Sequence, residues 1–236
     1  EAGPVLDCGL GPQGRQMFYT YVERAPAHIV LRVRGGLITH YRHRMGNVRI
    51  RLYSDLAVSD EADFLVCSDD SVPPDGEEYL VPLSTPHAGL HRIEILDGGG
   101  GTKVLPGRDG MPFCVNAGPE PTFNSRHIWS AWFYVPKGTR LLSFHVASPV
   151  GDVLDGDGHV AFRFPRDLAG RVREDADTQS LSGGYFFCRV PEGQDGKLWR
   201  LHRVRGPWRL LNVPPCLARS PAETMLPVEV IDEERE

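Results

Sequence analysis

Trp132-Phe133-Tyr134-Val135-Pro136-Lys137-Gly138-Thr139-Arg140-Leu141-Leu142-Ser143-Phe144-His145-Val146 is two short strand patterns joined by a Pro-Lys-Gly turn. Aromatic and branched side chains fill both arms, as pleated strands favour, and Pro and Gly supply the reversal between them. The stretch has an echo upstream. Tyr21-Val22 aligns with Tyr134-Val135, and the same shift sets Leu31 on Phe144, Val33 on Val146 and Tyr19 on Trp132.

Further matches follow in chain order. Val48, Arg51, Leu52, Asp55, Leu56 and Ala57 align with Val160, Arg163, Phe164, Asp167, Leu168 and Ala169. Tyr79 then aligns with Tyr185, and Leu90, Arg92 and Ile93 with Leu198, Arg200 and Leu201. Their small drift in spacing needs only loop-length changes at surface turns, which add little closure entropy. Individual strands are legible from alternation: Val48, Ile50 and Leu52 face a core while Arg49 and Arg51 face water.

These patterns predict an all-β chain of two tandem antiparallel β-sandwich (jelly-roll-like) modules, residues 1–105 and residues 106–236, the second with a C-terminal extension. Phe113-Cys114-Val115 is expected to open the second module. Gly98 to Gly101 lacks the GxxxxGK[ST] spacing of a phosphate loop and is expected to be a hairpin tip or a boundary loop.

Composition agrees with that class. The 26 Gly and 20 Pro residues interrupt any long helix and suit short strands with frequent turns. A formal net charge of −5 gives no whole-chain attraction to nucleic acid. No apolar run approaches the roughly 20 residues of a membrane span. Glu1 in place of an initiator Met suggests a processed or excised chain, with neighbouring domains expected. Cys8, Cys67, Cys114, Cys188 and Cys216 are too scattered for a disulfide scaffold or a zinc site, although an exported chain could form one bridge or two among them.

Candidate chemistry lies in two places. Asp152, Asp155 and Asp157, interleaved with Gly151, Gly156 and Gly158, form an acidic loop of the kind that supplies oxygen ligands to Ca2+. Its spacing is not that of the twelve-residue helix-loop-helix calcium site, and a plain hairpin turn is the competing reading, which ranks first. Trp129, Trp132 and Trp208 are the candidate ligand-stacking residues, weighed against core packing, which also ranks first. The His40-Tyr41-Arg42-His43 cluster contains Arg42 and is followed by Arg44, which oppose a bound cation. No GxSxG elbow and no protease-type cysteine signature occurs.

Phe133-Tyr134-Val135-Pro136-Lys137-Gly138-Thr139, with Gly193-Gln194-Asp195-Gly196-Lys197-Leu198-Trp199 and Leu211-Asn212-Val213-Pro214-Pro215, resembles the bacterial pre-peptidase C-terminal type of β-sandwich. Such modules are similar in shape to carbohydrate-binding modules and are appended to exported enzymes or surface proteins. The resemblance implies no catalytic residues. It leads to an expected non-catalytic accessory or binding module, secreted, periplasmic or at a cell surface, whose partner is a polysaccharide or another protein. A β-sandwich carbohydrate-active enzyme and a structural spacer stand as alternatives.

Overall fold

A computed structural model describes residues 14–54, 65–108, 110–118, 128–164 and 184–226. It is an all-β, antiparallel architecture, and the chain divides into two compact units, Asp7–Asn116 and Ala117–Glu236. Among the described residues, no helix is long and apolar enough to cross a membrane.

The first unit runs β1 (Arg15–Val22), β2 (Ala27–Arg34), β3 (Val48–Ser54), β4 (Leu65–Val72), β5 (Glu78–Thr85), β6 (Gly89–Leu96), β7 (Lys103–Pro106) and β8 (Phe113–Asn116). They form two sheets, ordered β8-β1-β6-β3-β4 and β5-β2-β7. Alternation explains the core. Phe18 of β1, Ile50 and Leu52 of β3, and Ile93 and Ile95 of β6 are buried from one sheet, and Ile29, Leu31, Val33, Val81 and Leu83 from the other. Pro82, which lacks an N–H, sits opposite Val30 on edge strand β5, where β2 requires no donor from it.

The second unit runs β9 (Ile128–Val135), β10 (Leu141–Ser148), β11 (Asp152–Leu154), β12 (Val160–Arg163), β13 (Gly184–Arg189), β14 (Lys197–Leu210) and β15 (Cys216–Ala218). Its pairings follow those of the first unit. β9 pairs β14 and β15 as β1 pairs β6 and β8; β10 pairs β13 and β14 as β2 pairs β5 and β7; β11 pairs β12 and β14 as β3 pairs β4 and β6. Tyr19 lies opposite Arg92 and Trp132 opposite Arg200, the register that the sequence alignment requires.

The strand joining the sheets differs between the units. In the second, β14 crosses from β9 to β10 without a break, bending where its register shifts between Leu201 and Val204. Arg203 at φ 51° and Gly206 at φ 73° make the bend, and Ser130 Oγ accepts the Arg203 N–H at 3.0 Å. In the first, Gly98 to Gly101 make the same passage between β6 and β7, three of the four at positive φ. The Asp97 carboxylate holds that crossing by accepting from Gly14 N–H, Gly99 N–H and Thr102 Oγ. The glycine run is therefore a crossover inside the first unit, and not a hairpin tip or a boundary loop.

Three other expectations are corrected. Phe113–Val115 pairs with β1, so it closes the first unit, and the division falls after Asn116 instead of residue 105. By pairing, β3 corresponds to β11 and not to Val160–Arg163, which corresponds to β4. Asp55–Ala57 and Asp167–Ala169 of that match lie outside the described residues. Tyr79 is one residue out of register with Tyr185, because Val33 faces Tyr79 whereas Val146 faces Gly184; Leu80 is the counterpart of Tyr185. A one-residue slip moves a side chain to the opposite face. Among the described residues no disulfide links Cys67, Cys114, Cys188 and Cys216 to one another, and Cys8 lies outside those residues.

Candidate binding face

Strand β13 alternates cleanly. Phe186 and Cys188 turn inward, and Tyr185, Phe187 and Arg189 turn outward, leaving Tyr185 69% and Phe187 60% exposed. Large aromatic rings lose hydrophobic stabilisation when left in water, and these two stand at i and i+2 on one strand, about 6.6 Å apart along it. Beside them on β10 lie His145 opposite Tyr185, Ser143 opposite Phe187 and Leu141 opposite Arg189. β14 adds Arg209 opposite His145, and Leu211 donates its N–H to Ser143 C=O at 3.1 Å. The outer face of β13-β10-β14 is thus an aromatic and apolar strip with Arg189 and Arg209 on it.

The face is held rigidly from beneath. Phe186 stacks on Phe144 at 6.0 Å between ring centroids, Phe144 stacks on Trp208 at 5.0 Å, and Phe164 meets all three edge-on. Cys188 Sγ donates to Ala161 C=O at 3.5 Å, tying β13 to β12, and burial pushes that thiol up to about 11, which makes it inert as a nucleophile. The His145 ring lies 5.0 Å from the Tyr185 ring and tilts 60° to it.

Burial, and then the neighbouring Arg209 charge, hold His145 below the ordinary imidazole range. Burial does the same to His91, with His87 adding to it and a bond to Gly89 C=O opposing it. Burial also lowers His202, with Arg200 and Arg203 adding and Asp152 opposing. Unfolding returns each to about 6.5. The unfolded chain therefore binds more protons below that pH, and stability, fully present above it, is lost as pH falls towards the folded values. Urea midpoints are expected to drop between pH 7.5 and pH 5.0. Asp75 and Asp157, held low by hydrogen bonds, titrate too far down to contribute in that window. An unchanged or rising midpoint would contradict the assignment.

The tryptophans occupy other places. Trp129 and Trp208 are 1% and 0% exposed, with ring centroids 6.5 Å apart, and are core residues without an open face. The reason is parity: Trp129 shares its side of β9 with Ala131, Phe133 and Val135, all buried. Trp132 is half-buried on the other side, and the Arg200 guanidinium covers its ring at 4.5 Å.

The three aspartates do not converge. Asp152 forms a bidentate pair with Arg163 at 2.7 and 3.1 Å; Asp155 accepts the N–H groups of Asp157 and His159; Asp157 bonds Gln194 and Lys197. Each carboxylate is satisfied by a different protein partner, as the hairpin-turn reading of the acidic loop requires. Among the described residues no three His, Cys, Asp or Glu side chains group to hold a metal. The buried carboxylates are likewise engaged by other groups: Glu94 by Arg15 and Tyr53 Oη, and Glu223 by Arg219.

Comparison with protein-family models, curated proteins and solved structures finds no match.

Proposed function

We propose that this protein is a non-catalytic accessory module, built from two copies of one β-sandwich, that binds a polysaccharide on the outer face of its second unit. The observation that carries this reading is the exposed pair Tyr185 and Phe187 on a sheet whose other face is an aromatic core. Sugar rings present apolar C–H faces that stack on such platforms, and neighbouring polar groups fix their orientation. Arg189 and Arg209 add positive charge beside the rings, which favours a chain with carboxylate or sulfate substituents. The first unit has Leu80 and Pro82 at the corresponding positions, so the activity belongs to the second copy. An exported, bacterial setting rests on the sequence resemblance alone.

The test is an array of neutral and acidic polysaccharides probed with the intact protein and with Tyr185→Ala/Phe187→Ala. The wild type is expected to be retained, most strongly by acidic chains, and the double variant to be lost from every spot. Trp132→Ala, which removes the Arg200-stacked ring, should be retained as the wild type is. Retention of neither wild type nor variants rejects polysaccharide binding and leaves a protein partner for the same face.

A further inference from the structure

The two units differ at one sheet edge, and the difference exposes a site in the first. In the second unit, Leu211 N–H bonds Ser143 C=O at 3.1 Å, and the next residue closes the edge of β10. Asn212 Oδ1 accepts Ser143 N–H at 2.8 Å, and its Nδ2 donates to Leu141 C=O at 2.6 Å. A side-chain amide thus stands where another strand's backbone would be.

In the first unit the same geometry begins. Gly107 N–H bonds Val30 C=O at 2.8 Å, and Val30 and His28 correspond to Ser143 and Leu141. The next residue is Arg108, whose side chain has five donors and no acceptor and so cannot serve Val30 N–H as Asn212 serves Ser143. Backbone alternation turns the Val30 N–H and the His28 N–H and C=O to the same side as the Val30 C=O, away from β5. Beyond Gly107, no strand or side chain among the described residues takes that edge. In its place is a groove of about 760 Å³, lined by the 27–30 stretch of β2 and by Tyr21, Arg24, Arg108, Met111 and Pro112.

We propose that this groove binds an extended polypeptide segment, which adds to β2 as a further strand. An open strand edge recognises a backbone through its unpaired N–H and C=O groups, while pockets beside it read alternate side chains. Tyr21, half exposed, and Met111 offer an apolar wall to one such side chain. Arg24 and Arg108 outnumber Glu23 along the rim, which selects a peptide carrying an acidic residue. The site is independent of the polysaccharide face, lying in the other unit.

A displayed library of linear heptapeptides, panned against the intact protein, supplies the probe. Enriched peptides are expected to combine apolar and acidic residues. Their binding should raise the protection of the Val30 amide from hydrogen exchange at least tenfold, as a fast-exchanging N–H gains an acceptor. Methylating alternate backbone amides of the peptide should abolish binding for one set of positions and spare the other. Arg108→Asn, which copies the closure of the second unit, should weaken binding about tenfold. Should that variant fold poorly, the exchange and methylation measurements on the wild type decide. Failure of any peptide to enrich, or binding that is indifferent to amide methylation and leaves Val30 exchange unchanged, would overturn the proposal.

Discussion

Phe144→Ala is expected to destabilise the protein by about 3–5 kcal/mol, the range for removing a fully buried aromatic ring. Phe144 is 0% exposed and contacts Phe162, Phe164, Phe186 and Trp208 at centroid distances of 5.0–6.3 Å. Its removal leaves a cavity bounded by rings on stiff strands, which close it poorly. Against a typical total of about 5–15 kcal/mol, such a loss leaves the second unit marginal. Urea unfolding followed by tryptophan fluorescence reads it directly, because Trp208 lies against the missing ring. A loss below about 1 kcal/mol would mean that Phe144 is not the centre of this core.

Glu223→Ala should rank next. Arg219 and Glu223 form a bidentate pair, with side chains only 13% and 4% exposed, in the segment after β15. Removing one partner of such a pair leaves a charge in a poorly hydrated place, with a cost of about 3–5 kcal/mol. Replacing both, as Arg219→Met/Glu223→Leu, should cost less than the single change. That inversion separates a buried-charge penalty from simple loss of packing, and a double variant less stable than the single would contradict it. Loss here should also loosen β15, which pairs with β9 at Ala218 and Trp132.

What was legible in the sequence follows from what alternation encodes. Val48 to Leu52 shows one apolar and one charged face, so its direction was readable, and the structure buries Val48, Ile50 and Leu52 as expected. The opening hairpin was readable because its turn residues and its echo agree. Tyr185-Phe186-Phe187-Cys188 was not, since both faces of that strand are apolar and period alone does not say which meets water. The choice between core packing and stacking at the tryptophans was open in the sequence for a related reason. Stacking potential depends on exposure, and Trp129 and Trp208 pack on each other, with Phe144 and Phe164 also against Trp208, from segments far apart in sequence. For the aspartates, local spacing marked a loop, but partners such as Arg163 and Lys197 decided where each carboxylate points. The Arg108 and Asn212 difference carried no signal until strand pairing set the two residues at equivalent positions.

The claim with most resting on it is that Tyr185 and Phe187 form a polysaccharide platform. Affinity electrophoresis through gels containing the polysaccharide best retained on the array tests it most directly, with wild type and Tyr185→Ala/Phe187→Ala run side by side. The account predicts retardation of the wild type that lessens as salt is raised, from the contribution of Arg189 and Arg209, and loss of at least tenfold in affinity for the double variant with urea stability unchanged. Equal retardation of the two proteins would contradict it.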